Sequence, residues 1–139
     1  MIKNKIDLAR FSVLYAANFL GIEGINVSFK PSSFFEDDSS AVFFSDDYHI
    51  VFSEPWVNQA HFVDILYCGF HETRHAYQRA CIDFQYLINY EKKELNLWIN
   101  NFKDYSKPGM EKYNDQPIEK DADEFSIYLL KRLLNQIDR

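Results

Sequence analysis

Two histidines stand four residues apart in the segment GFHETRHAYQ, residues 69–78, and a glutamate directly follows the first of them. In a helix each residue advances by about 100°, so His71 and His75 lie on one face, one turn apart. Two imidazoles placed in this way can bind one ion at about 2.0–2.1 Å from their nitrogens. Glu72 is offset to the side, where its carboxylate can act as a general base on a water molecule at that ion. The spacing therefore predicts a hydrolytic metal site.

A catalytic zinc needs a third protein ligand and one open position for water. The segment PIEKDADEF, residues 117–125, supplies several carboxylates in the first turns of a predicted helix. Glu119 and Asp123 share a face, which favours Glu119 as the ligand and Asp123 as an acceptor that orients a ligand imidazole. Asp121 and Asp123 remain alternatives as the ligand, and Asp121 is a second candidate for the supporting position. Acidic residues also suit the first turn of any helix, so their presence alone does not identify a ligand.

Other side chains near the pair have simpler explanations. Cys68 comes one turn before His71 and could approach the ion, but a small buried packing role is expected, because a buried free cysteine behaves as an apolar residue. Arg74 points away from the predicted ion and is expected to pair with a carboxylate, whereas Tyr77 is expected in the core. We expect His49 and His61 to be structural, because isolated histidines without a spaced partner carry no ligand pattern.

The elements that must position these residues begin with a helix and three strands. An apolar stripe over residues 4–20 predicts a helix, and Gly21 follows as a plausible cap. Residues 25–30 alternate as a strand does, and residues 41–53 have two β-rich halves around a polar turn, which predicts a hairpin. The sequence therefore predicts a small three-stranded sheet, antiparallel or mixed.

Helices are predicted for most of the remaining chain. A short helical turn is expected near residues 55–59, followed by a long helix to about Ala80. Apolar residues at helical spacing continue over 84–105, residues 106–116 form a loop containing Pro108-Gly109, and the last helix opens at Pro117. This order predicts an α+β fold, and a chain of 139 residues is the size of one domain, here residues 1–139.

Composition restricts the classes of partner and compartment. The formal net charge of −6 disfavours a nucleic-acid-binding surface, and no apolar run approaches the roughly 18 residues of a membrane span. The N-terminal segment resembles an amphipathic helix rather than a signal peptide, because Asp7 and Arg10 interrupt its apolar run. Cys68 and Cys81 are expected to be free thiols in a reducing compartment, so a cytoplasmic protein is predicted.

The histidine motif, and the acidic motif that follows it, occur in the order found in a known family. HETRH followed by PIEKDADEF, after a helix and a hairpin, resembles the compact gluzincin metallopeptidases of the ImmA/IrrE type. Those proteins pair an HExxH helix with a later helix of pattern E-x-E/D-A-x-x-F-A, which donates the third ligand. Glu119, Asp121, Ala122 and Phe125 fall on that pattern, and Ser126 stands where alanine is usual. The resemblance implies a zincin-like fold and a zinc ion bound by the two motif histidines and Glu119.

Two features depart from the family pattern. The bulky Arg74 precedes the second histidine, where a small residue is frequent, and the segment 84–116 is longer than in the smallest members. The longer segment is expected to alter or partly cover the substrate groove. Tyr113, in the loop just before the last helix, and Tyr48, beside the hairpin turn, are candidates for the donor that stabilises the reaction's oxyanion, and a structural role is the alternative for each.

The function that follows is a zinc-dependent endopeptidase in which Glu72 is the general base. Its substrate would be an intracellular protein, bound as an extended peptide along the edge of the 41–53 hairpin. The resemblance implies a regulatory substrate, such as a transcriptional repressor encoded by a mobile element. Two alternatives are a zinc-binding interaction domain with little or no proteolysis, and a metal-free helical interaction domain in which the motif is coincidental.

Overall fold

The computed structural model describes residues 2–85, 91–107, 110 and 112–137. It shows an α+β fold, as the sequence predicts. Its helices and strands in chain order are α1 (Lys5–Leu20), β1 (Asn26–Lys30), β2 (Ala41–Phe44), β3 (His49–Ser53), α2 (Glu54–Gln59), α3 (Phe62–Asp83), α4 (Lys92–Lys103) and α5 (Pro117–Ile137). Two short 3-10 turns cover Ser32–Phe34 and Tyr113–Asp115. Within these described ranges, no helix combines the length and apolar composition of a membrane span.

The predicted boundaries agree closely with the structure where it is described. α2 begins one residue earlier than expected, α3 continues to Asp83 rather than ending near Ala80, and α5 begins at Pro117 as predicted. The predicted helix over 84–105 corresponds to α4, but residues 86–90 lie outside the described residues. The Pro108-Gly109 pair of the predicted loop also lies outside them.

The three strands form one mixed sheet in the order β1-β3-β2. β2 and β3 pair antiparallel, which confirms the predicted hairpin, while β1 runs parallel to β3. β3 is central, and Ile50, Val51 and Phe52 are buried. The amide of Ser53 donates to the carbonyl of Ser40, so these two residues form a hydrogen-bonded pair. Hydrogen-bonded and non-hydrogen-bonded pairs alternate along an antiparallel ladder, so Ala41 and Phe43 belong to non-hydrogen-bonded pairs with β3. The backbone groups of Ala41 and Phe43 consequently point away from β3, toward the open edge of the sheet.

α1 supports the middle of α3 through a close helix crossing. Gly69 of α3 faces Ser12 of α1, and a Cβ added at Gly69 would lie 2.5 Å from the Ser12 Cβ and closer still to its Oγ. The ends of α1 are defined locally: the Asn4 side chain accepts from the Asp7 amide at 2.8 Å, and Gly21 adopts φ of 73° after the last turn. This crossing sets the position of the segment that directly precedes the histidine pair.

α5 packs along α3 and brings its N-terminal turns beside the HExxH segment. One apolar cluster joins Leu66 and Phe70 of α3 to Leu129 and Leu133 of α5, and burial of each such side chain stabilises the fold by about 1.5–3 kcal/mol. Another cluster, around Trp98 of α4, covers the other end of this helix pair. The two helices that carry the predicted ligands are therefore held together by core packing.

Candidate metal centre

The side chains of His71, His75 and Glu119 converge at the contact between α3 and α5. His71 Nε2 lies 2.9 Å from Glu119 Oε1, and His75 Nε2 lies 3.1 Å from Glu119 Oε2. One donor atom from each residue falls within 4.8 Å of the others. Ligand atoms around a tetrahedral zinc lie about 3.3 Å apart, as follows from bonds of about 2.0–2.1 Å. These donor atoms therefore lie close enough together to hold one cation among them.

Burial of the carboxylate makes this arrangement electrostatically demanding. Glu119 is 1% exposed, so its charge requires nearby positive charge or hydrogen-bond donors. Burial raises the pKa of Glu119, but its contacts with both imidazoles outweigh burial and lower the pKa well below the usual range. For His71, burial lowers the pKa, whereas Asp123, Glu119 and the charge of Glu72 raise it to about 10. Burial also lowers the pKa of His75, and Glu119 and Glu72 reverse that effect, with a raised pKa as the result. The cluster thus favours binding of positive charge.

Asp123 approaches the other side of the first imidazole. Its Oδ1 lies 3.1 Å from His71 Nδ1, although this nitrogen has no aligned hydrogen bond within the described part of the chain. The same oxygen accepts from the Tyr67 hydroxyl at 2.7 Å, and the Tyr67 ring stacks against the His71 ring. Asp123 therefore faces the nitrogen opposite to the one that faces Glu119.

Asp121 faces away from the histidine pair and binds Arg74. The guanidinium donates through Nε at 2.7 Å and through Nη2 at 3.0 Å, which is the carboxylate pairing expected for Arg74. Among the described contacts, Asp121 reaches neither imidazole directly. Within the described part of the chain it connects to His75 through Gln78, a buried residue of α3 that belongs to neither sequence motif. Its position three residues after His75, on the same helix, is the signal that would have found it.

Glu72 is separate from the three candidate ligands and lines a cavity of about 1040 Å³ beside them. Burial raises its pKa, and the charges of His75 and His71 act in the opposite direction. A backbone hydrogen bond from Phe43, on the open edge of β2, also stabilises its ionised form. The predicted base, the histidine pair and the sheet edge thus border one cavity.

One wall of the cavity is formed by four described residues of the 84–116 segment, which the sequence predicts to alter or partly cover the groove: Phe102, Tyr105, Lys107 and Tyr113. Tyr105 was not anticipated from the sequence, and its hydroxyl donates to Glu119 Oε2 at 3.1 Å. Burial and the charge of Glu119 raise the pKa values of Tyr105 and Tyr113, so both phenols stay protonated. Tyr113, one of the two candidate oxyanion donors, thus lines the cavity, and its hydroxyl hydrogen-bonds Glu119.

Tyr48, the other predicted donor, is placed differently. Its hydroxyl donates to Asp83 Oδ2 at 2.6 Å, and Tyr48 is not among the described residues that line the cavity. Burial and the neighbouring carboxylate raise its pKa. The phenol ties the hairpin turn to the end of α3, which is a structural contact.

The remaining residues considered from the sequence lie around the site. Cys68 borders the cavity and burial raises its pKa, while Cys81 is buried, and both are free thiols. Tyr77 packs against the α4 cluster, and the Arg74 guanidinium lies 4.7 Å from its ring centroid. His49 shares a hydrogen bond of 2.7 Å with Ser28 across the sheet, and an exposed His61 precedes α3.

Comparison with protein-family models, curated proteins and solved structures finds no match to this chain. The resemblance to ImmA/IrrE-type gluzincins therefore depends on the two motifs and on the element order alone. The general α+β class is established by the structure, whereas a zincin-like fold and its family remain proposals.

Proposed function

We propose that the chain is a zinc-dependent endopeptidase whose metal is held by His71, His75 and Glu119. The observation that carries the proposal is the convergence of two imidazole Nε2 atoms on one buried carboxylate, within 4.8 Å. Two histidines and a carboxylate are the ligand set of a family of hydrolytic zinc sites, which keep a fourth position open. Nitrogen and oxygen donors of this kind also suit other divalent metals, so zinc is the first metal to test.

A zinc ion held there would lower the pKa of a bound water to about 7 and polarise a peptide carbonyl. The carboxylate of Glu72 accepts the proton that the attacking water loses and then delivers it to the leaving amine nitrogen. The Tyr113 hydroxyl donates a hydrogen bond to the oxygen that gains charge. The histidine pair, Glu72 and Tyr113 all line the cavity beside α3.

The open edge of β2 supports an extended peptide as the substrate. Strand addition uses backbone groups that have no partner within the sheet, and those of Ala41 point to that edge. Because Phe43 of the same edge hydrogen-bonds Glu72, a peptide paired there lies close to the proposed base. An intracellular protein, such as a mobile-element repressor, is the substrate that the family resemblance suggests.

A second candidate function is a zinc-binding interaction domain without proteolysis. The observation that favours it is the wall formed by Phe102, Tyr105, Lys107 and Tyr113, from which Tyr105 donates directly to Glu119. If this wall leaves no path for a peptide, the metal site would stabilise the fold and the surface would bind a partner. This candidate shares the three ligands but gives Glu72 no chemical role.

Metal analysis and one conservative variant test these functions. Untagged protein should contain one zinc per chain, and replacement of His71 and His75 by alanine should remove it. Glu72→Gln should retain zinc and lower hydrolysis of a denatured-protein digest, followed by mass spectrometry, by about 10²–10⁴-fold. Zinc without hydrolysis in either protein supports the interaction domain, and equal hydrolysis in both excludes Glu72 as the base. Absence of zinc from the wild type rejects both functions.

A further inference from the structure

Gln78 is fully buried, and all of its amide atoms are committed to hydrogen bonds. Its Nε2 donates to the carbonyl of Ile118 at 2.9 Å and to Asp121 Oδ2 at 2.8 Å. A carbonyl and an ionised carboxylate can only accept, so the NH₂ group of the amide must point toward them. This determines the orientation of the amide, and its Oε1 faces His75 Nδ1 at 2.9 Å.

The orientation of this amide determines which nitrogen of His75 carries a hydrogen. Since an amide oxygen only accepts, Nδ1 must donate to it. A neutral imidazole has a single N–H, so its Nε2 then presents a lone pair. That nitrogen faces Glu119 Oε2 at 3.1 Å, another acceptor. Two acceptors this close require a proton or a metal cation between them.

We propose that Gln78 is a positioning residue that keeps His75 in the Nδ1–H form and directs its Nε2 lone pair at the metal. This inference rests on the proposed metal site. Asp121 holds the amide of Gln78, and Arg74 in turn holds Asp121, so a chain of hydrogen bonds runs from the guanidinium to the imidazole. The bulky Arg74, which departs from the family pattern, thus anchors this series of hydrogen bonds. That role accounts for a large side chain at this position.

The oxygen of the Gln78 amide contacts His75 and its NH₂ group contacts α5, so two variants can separate the positioning role from a structural one. Gln78→Met removes both the oxygen and the NH₂ group at similar side-chain volume. Gln78→Glu keeps an oxygen for His75 Nδ1 but loses both donated bonds to α5. If the amide oxygen supports zinc binding through His75, Gln78→Met should weaken zinc binding by about 10–100-fold, as loss of such supporting contacts does. Gln78→Glu should then remain closer to the wild type, although its fold is less stable.

Zinc affinity is measured by competition with a chromophoric chelator, and the visible spectrum of the Co(II)-loaded proteins reports the ligand geometry. We expect an altered Co(II) spectrum for Gln78→Met and a near-native one for Gln78→Glu. Wild-type affinity in Gln78→Met would overturn the inference, as would a greater loss in Gln78→Glu than in Gln78→Met. These outcomes differ from failure of the proposed function, which would show as wild-type protein that binds no zinc.

A measurement on the wild type keeps the inference testable if a variant does not fold. In zinc-loaded protein, long-range ¹H–¹⁵N spectra identify the protonated ring nitrogen of each histidine. The proton of His75 should be on Nδ1 and hydrogen-bonded to the amide. A proton on Nε2 of His75, with Nδ1 as the metal ligand, would overturn the inference.

Discussion

Glu119 and Asp123 lie one turn apart on α5, yet only Glu119 faces the Nε2 atoms of both imidazoles. Its two oxygens lie 2.9 and 3.1 Å from them, whereas Asp123 lies 3.1 Å from Nδ1 on the far side of His71. Glu119 is 1% exposed, and the Asp123 side chain is 42% exposed. The two carboxylates therefore occupy different positions with respect to a shared cation.

We expect Glu119→Ala to weaken zinc binding more than Asp123→Ala does. The first variant removes a ligand, and the second removes an orienting contact, whose loss costs about 10–100-fold in affinity. Chelator competition on both variants measures the order. The reverse order would move the ligand assignment to Asp123.

Tyr113→Phe should lower kcat by about 10²-fold with unchanged zinc content, because it removes a donor at the cavity but no ligand. Tyr48→Phe is the matched control, since its hydroxyl serves Asp83 instead. That control should leave kcat near the wild-type value and lower the free energy of unfolding by about 1 kcal/mol. Steady-state kinetics on a peptide found in the digest, together with denaturant unfolding, measures both. A comparable fall in kcat for Tyr48→Phe would contradict this assignment.

Gly69→Ala should destabilise the protein, because the added methyl overlaps Ser12 of α1. Overpacking of this kind costs about 1–3 kcal/mol, of which a better helix propensity recovers up to about 1 kcal/mol. Urea unfolding measures the loss. The double variant Ser12→Gly/Gly69→Ala restores the space and should recover part of the stability. If Gly69→Ala alone were as stable as the wild type, α1 and α3 would be able to move apart with no loss in the free energy of unfolding.

Protein stripped of metal with a chelator should depend on pH through the histidine–carboxylate cluster. The pKa of His71 is raised from 6.5 to about 10, so its contribution is complete below about pH 6.5 and is lost as the pH rises toward 10. The pKa values of Glu119 and Asp123 are lowered, so their contribution is present above about pH 4 and is lost as the pH falls.

The free energy of unfolding of the stripped protein should therefore be greatest between about pH 5 and 6.5. Thermal or urea unfolding across this range measures it. His71→Asn removes the titrating imidazole and should flatten the alkaline side of the profile. An unchanged alkaline slope in that variant would assign the dependence to other groups.

Much of the fold follows from local patterns in the sequence. The helical period places His71 and His75 on one face whatever surrounds the helix, and Pro117 marks the start of α5 because proline suits the first turn. The hairpin is local as well, since its two strands are joined by a short polar turn. These features depend on neighbours along the chain.

Contacts between distant segments depend on tertiary packing. The parallel pairing of β1 with β3, the hydroxyl of Tyr105 at Glu119, and the link from Gln78 to Asp121 all join residues far apart in sequence. The sequence by itself determined that a histidine pair and an acidic helix exist. The rotation of α5 against α3, set by packing of side chains such as Leu129, decided which carboxylate faces the imidazoles. Which carboxylate faces the imidazoles depends on tertiary structure, because helix periodicity aligns residues within one helix. It carries no information about which face of that helix contacts the neighbouring helix.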